Sequence, residues 1–181
     1  MSDPITNLHY AANGNIVNGQ YTPGADGFNL ADVSSVSALN ALPAGVKGLV
    51  WLGMGSGATA SFQAAVSQYI GNPNLYGFYL VDEPDPSQVS AANLMAESDW
   101  IHANVPGAKT FIVLQNMGTD SNPVFNYNPA NTHIDLFGLD PYPIQTQFPG
   151  GTDYSAIPTA VAAGRTGLCA KADSKRTFRS A

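Results

Sequence analysis

Two short apolar runs in this chain end alike, and that ending narrows the folds open to it. Leu75-Tyr76-Gly77-Phe78-Tyr79-Leu80-Val81 runs into Asp82-Glu83-Pro84, and Ile134-Asp135-Leu136-Phe137-Gly138-Leu139 runs into Asp140-Pro141-Tyr142-Pro143. Runs of this length and character read as buried strands. Proline lacks the backbone N–H that a central ladder needs, so each strand stops at its proline. The carboxylates therefore stand at the carboxyl ends of buried strands. Parallel α/β folds build their sites at that end.

The intervening sequence supplies the alternation such a sheet requires. Strands are expected over 28–33, 46–52, 75–81, 110–114 and from 134. Helices are expected over 34–42, 61–70, 88–103 and 155–163. Asp32 or Ser34 is positioned to cap the first helix. In the third, Val89, Ala92, Met95, Ala96, Trp100 and Ile101 recur at helical spacing. A polar loop spans 117–133. Strands alternating with helices imply a parallel sheet with right-handed crossovers.

A doubly wound sheet and a (β/α) barrel both satisfy that order. The run Gly53-Met54-Gly55-Ser56-Gly57 is followed by Ala58, so it is not the dinucleotide fingerprint, and no acid follows at the ribose distance. It reads as a flexible turn, and the barrel is favoured. The sequence calls for no cofactor.

Charge excludes some partners. Of 181 residues, 44% are hydrophobic and only 11% charged, so one domain with a sizeable core is expected. Residues 1–164 hold 12 acids against two bases, Lys47 and Lys109, a balance of 2 − 12 = −10. Such a body cannot neutralise phosphates, which excludes nucleic acid and anionic membranes as partners. Residues 165–181 hold five bases and one acid, 5 − 1 = +4, and read as a solvated basic tail. Cys169 is the single cysteine, so neither an internal disulfide nor a thiolate metal cluster is available. No apolar run is long enough to span a bilayer, and Met1-Ser2-Asp3-Pro4 lacks the features of a signal peptide.

The segments GFYLVDEPD, TFIVLQN and IDLFGLDPYP together resemble the middle of a bacterial glycoside-hydrolase-like (β/α)8, or TIM, barrel. The resemblance covers about residues 28–164. It implies an incomplete TIM-barrel-like parallel sheet with flanking helices, preceded by an irregular segment, 1–27, and followed by the 165–181 tail. The barrel reads as truncated after about residue 164, past the helix that follows the Asp140 strand. The strand that carries the nucleophile in retaining members would then be absent, activity impaired and exposed edges prone to non-specific self-association. Carbohydrate is the implied substrate or ligand, and an extracellular location is slightly favoured. The alternative is a non-catalytic carbohydrate-binding or scaffold remnant of the same barrel.

Glycoside cleavage uses one carboxylic acid to protonate the leaving oxygen and one carboxylate to attack or to activate water. The resemblance gives the acid's role to Glu83, by its place at the end of the fourth strand. Asp82 and Asp140 complete the catalytic candidates. Neighbouring strand residues point to opposite sides, so only one of Asp82 and Glu83 is expected to face the site. Capping or turn formation would explain each of these acids equally simply. Asp85 reads as a turn or N-cap residue, and Asp135 as structural. Trp51, Gln115, Asn116 and Tyr142 are the substrate-binding candidates: rings for stacking, amides for hydroxyls. Core positions for Trp51 and Tyr142 remain open. A calcium site between Asp82, Glu83 and Asp140 is a third possibility. His9, His102 and His133 lack ligand spacing, and His102 reads as part of a solvated helix face.

Overall fold

A computed structural model describes residues 7–13, 15–114, 118–119, 122–123 and 126–140. Six strands form one sheet: β1 (Tyr10–Ala11), β2 (Leu30–Val33), β3 (Lys47–Trp51), β4 (Leu75–Asp82), β5 (Lys109–Leu114) and β6 (Leu136–Leu139). Every adjacent pair is parallel, and the order across the sheet is the order along the chain. A doubly wound sheet reverses direction at a switch point. This sheet has none. It is an α/β half-barrel, curled, with helices packed on its outer side.

The curl can be read from ring contacts. Flat neighbouring strands lie ~4.8 Å apart, which would separate β1 from β5 by roughly 19 Å. Yet the Tyr10 and Phe111 rings, from those two strands, have centroids 5.8 Å apart. Their side chains meet on the concave face with Leu30, Leu49, Tyr79 and Val113.

The convex face carries the main core. Ala31, Val33, Val50, Phe78, Leu80 and Ile112 pack there with Leu39, Phe62, Val66, Leu94 and Ile101 from the helices. These helices are α1 (Val36–Asn40), α2 (Ala60–Ser67) and α3 (Ala91–Asn104). Ser35, Thr59 and Ser90 cap them through side-chain oxygens that accept from Ala38, Phe62 and Asn93 N–H. Strand parity thus divides two layers of apolar side chains between helices and concave interior.

Three expectations need correction. The 1–27 segment is not wholly irregular, since β1 pairs with β2 and a small hairpin joins Ile16–Val17 to Gln20–Tyr21. Two-residue strands are too short to leave a periodic signal. Helix α3 buries Leu94, Glu97, Ser98 and Ile101, not the face through Ala92 and Ala96. Two of its inward residues are polar, which hid the stripe. The 117–133 loop contains the helix α4 (Pro129–Thr132), started by a capping box between Asn128 and Asn131. The expected helix at 155–163 and the basic tail lie outside the described residues.

Candidate functional site

A bulge in β4 decides which acid faces the interior. Tyr79 pairs with Phe111, Val81 with Ile112 and Asp82 with Val113, so Leu80 is the extra residue. Regular alternation would put residue 82 on the face opposite residue 79. The inserted residue reverses that parity, and Asp82 joins Tyr79 on the concave side. There the Tyr79 hydroxyl donates to Asp82 Oδ1 at 2.5 Å. Burial, then the hydrogen bond to Asp82, pushes the Tyr79 phenol well above its ordinary range and keeps it a donor.

Asp82 lines a cleft of about 590 Å³ at the carboxyl end of the sheet, together with Asp32 and Asp140. These three acids come from the ends of β2, β4 and β6, alternate strands, which in a curled parallel sheet contribute to one layer. Trp51, Tyr79, Phe111 and Tyr10 form its aromatic wall. Trp51 meets Tyr79 edge-on at 4.7 Å, and Tyr79 meets Phe111 at 4.8 Å. Among the described residues, no lysine, arginine or histidine lines the cleft. Lys47 and Lys109 begin β3 and β5 at the opposite pole, where they bond Pro73 O and Asp135.

Asp32 is the site residue that the sequence reading missed, having been taken as a helix cap; Ser35 is the cap. The signal was present, because 30–33 is another apolar stretch containing an acid near its carboxyl end. Burial raises the Asp32 carboxyl pKa and the nearby Asp82 charge adds to the rise, partly offset by the Asn13 N–H that it accepts. Tyr10 is also held protonated, by burial first and then by Asp32 and Asp82.

Glu83 follows immediately after β4, between the strands ending at Trp51 and Leu114. Its N–H donates to Val113 O, and its backbone adopts φ 41, left-handed for a residue with a Cβ. It is not among the residues lining the 590 Å³ cleft. Asp140 N–H extends the β6 ladder to Leu114 O. Asp85 forms an Asx-type turn, its Oδ1 accepting Ser87 N–H. Gln115, Asn116 and Tyr142 lie outside the described residues. Among the described residues no group of three His, Cys, Asp or Glu side chains is arranged to hold a metal ion, so the calcium reading gains nothing.

The glycine-rich loop after Trp51 is anchored, contrary to its reading as a flexible turn. Fully buried Glu97 accepts Gly57 N–H at 2.9 Å, and the Asn93 amide donates to Gly55 O. His102 is likewise engaged, its Nε2 lying 2.8 Å from Asp135 Oδ2.

Comparison of the chain with protein-family models, with curated proteins and with solved structures finds no match.

Proposed function

We propose that the chain is a glycosidase-like barrel of TIM type whose carboxyl-end cleft binds carbohydrate and hydrolyses an O-glycosidic bond through strand-end carboxylates. The observation that carries this reading is the convergence of Asp32, Asp82 and Asp140 on one aromatic-walled cleft that, among the described residues, no cation lines. Acid–base cleavage of an acetal needs a carboxyl pair and no cofactor. The aromatic wall suits the C–H faces of a sugar, and the carboxylates suit its hydroxyls.

Asp82 and Asp140 are the catalytic candidates from the sequence that reach this cleft, as Trp51 is the binding candidate that does. Glu83 stands beside it in a backbone conformation that costs about 1–3 kcal/mol, the kind of strain that concentrates at functional sites. All three acids therefore stay in the proposed machinery. A binding-only domain is the second reading, favoured by the continuous aromatic wall, which needs no carboxylate chemistry to hold a sugar.

The test is turnover of a panel of aryl glycosides by the full chain. Asp82→Asn and Asp140→Asn should each lower kcat about 10²–10⁴-fold, the usual worth of a general acid or base. Asp85→Asn, on an exposed turn, should leave it unchanged. Sugar binding without turnover would select the binding domain, and no sugar binding at all would end the carbohydrate reading.

A further inference from the structure

The carboxylate cleft does not stand alone. A second groove, of about 540 Å³, runs beside the turn from β2 into α1, and it shares Asn13, Asp32 and Trp51 with the cleft. Each space lies within the size range of a small-molecule site. Trp51 thus forms part of the wall of both.

Trp51 is built as a fixed platform at this junction. It is 37% exposed although it ends a central strand. One contact is the edge-on packing against Tyr79. Another is Gly53, where a Cβ would lie 3.2 Å from the indole ring and where φ is 63. A glycine meets both requirements: close approach to the ring and a left-handed backbone. Beyond Gly53 the loop is tied to α3 through Glu97 and Asn93.

The polar groups of the second groove are neutral apart from Asp32. Asn13 and Ser34 line it, and neither side chain has a hydrogen-bond partner among the described residues. Among the described residues, neither space is lined by a lysine, arginine or histidine. An anionic ligand would meet, among the described residues, up to three carboxylates with no compensating charge.

We propose that the site takes an uncharged, linear oligosaccharide of at least two rings, laid across Trp51 from the carboxylate cleft into the Asn13–Ser34 groove. This rests on the carbohydrate reading and adds ligand length and charge to it. One ring occupies the cleft against the carboxylates. The next stacks its C–H face on Trp51, and its hydroxyls meet Asn13 and Ser34.

Calorimetric titration of the full chain tests this. The probes are neutral glucose, xylose and mannose oligomers of one to four rings, with a galacturonate trimer as the charged counterpart. For at least one neutral series, Kd should fall at least tenfold from one ring to three, and the galacturonate trimer should not bind. Trp51→Ala should return the trimer to the affinity of the single ring. Ser34→Trp, an exposed substitution that fills the groove, should remove the length gain, so that the trimer binds no more tightly than the single ring. Thermal melts check that both variants fold, and Ser34→Trp carries the test if Trp51→Ala does not. Equal affinity for one and three rings, or tight binding of galacturonate, would overturn the proposal while leaving the carbohydrate reading standing. Failure of every sugar to bind would remove both.

Discussion

Asp82 and Asp135 show how one residue type is put to two uses at opposite poles of the sheet. Asp82 is exposed at the carboxyl end and accepts a hydrogen bond from the Tyr79 hydroxyl. Asp135, at the amino end of β6, accepts from Thr110 N–H at 2.9 Å, lies 2.8 Å from His102 Nε2 and takes a bond from Lys109 Nζ at 3.1 Å. Burial pushes the Asp135 carboxyl up, but His102, Thr110 and Lys109 together outweigh it and hold the pKa below the ordinary 3.8. A depressed folded pKa contributes stability that is present above 3.8 and lost as pH falls through the folded value. Asp135→Asn should therefore cost about 1.5–3 kcal/mol at pH 7, the range for bonds to a charged group. Urea titrations at pH 7 and pH 3 should show the gap closing at the lower pH. A gap that persists unchanged at pH 3 would mean that charge is not what the network stabilises. The structural role of Asp135 was legible in sequence from its place at the start of a strand. Its partners were not, because His102 lies 33 residues away.

At the scale of elements, α3 binds the loop that follows β3. Glu97 is completely buried, and burial pushes its carboxyl up to about 7, against the opposing effect of the Gly57 and Ser56 N–H groups. The unfolded chain releases this proton near 4.5 and the folded chain near 7. The contribution of Glu97 to stability is therefore greatest below about pH 4.5 and declines as pH rises to about 7, by roughly 3 kcal/mol in all. Glu97→Gln keeps an acceptor for the loop and removes the titration. Melting temperatures from pH 4 to pH 9 should fall for the parent chain between pH 4.5 and 7, with the glutamine variant flat there and more stable at pH 8. Parallel curves would show that Glu97 does not ionise in that window. The sequence reading assigned α3 correctly as a helix but phased its buried face through Ala92 and Ala96. A buried glutamate counts as polar in any periodicity, so the true stripe was hidden.

The whole molecule is a sheet wound in one direction, with its core on the convex side and its candidate site on the concave. Among the described residues β1 and β6 each pair with one strand, whereas β2 to β5 pair with two. Strand β4 is the longest and has buried residues from Gly77 to Leu80. Native-state hydrogen exchange should accordingly be slowest at Val50, Phe78 and Ile112, which are fully buried on central strands. Amides of β1 and β6 should exchange sooner. Equal protection of β1 and β4, measured by exchange NMR, would argue that the sheet opens only as a single unit.

The sequence by itself determined the alternation of strand and helix, the acids at the strand ends and the scarcity of cations in the body. Each of these is local: it depends on apolar runs, on prolines that stop ladders and on charges that can be counted. Only the tertiary structure decided which acids share a cleft. Asp82 faces inward because Leu80 bulges against β5, and that register belongs to two strands, not one. Asp32 joins it, and Tyr10 reaches Phe111, because the sheet curls. Curl is the summed twist of strands packed on helices, so no single segment of the chain carries it.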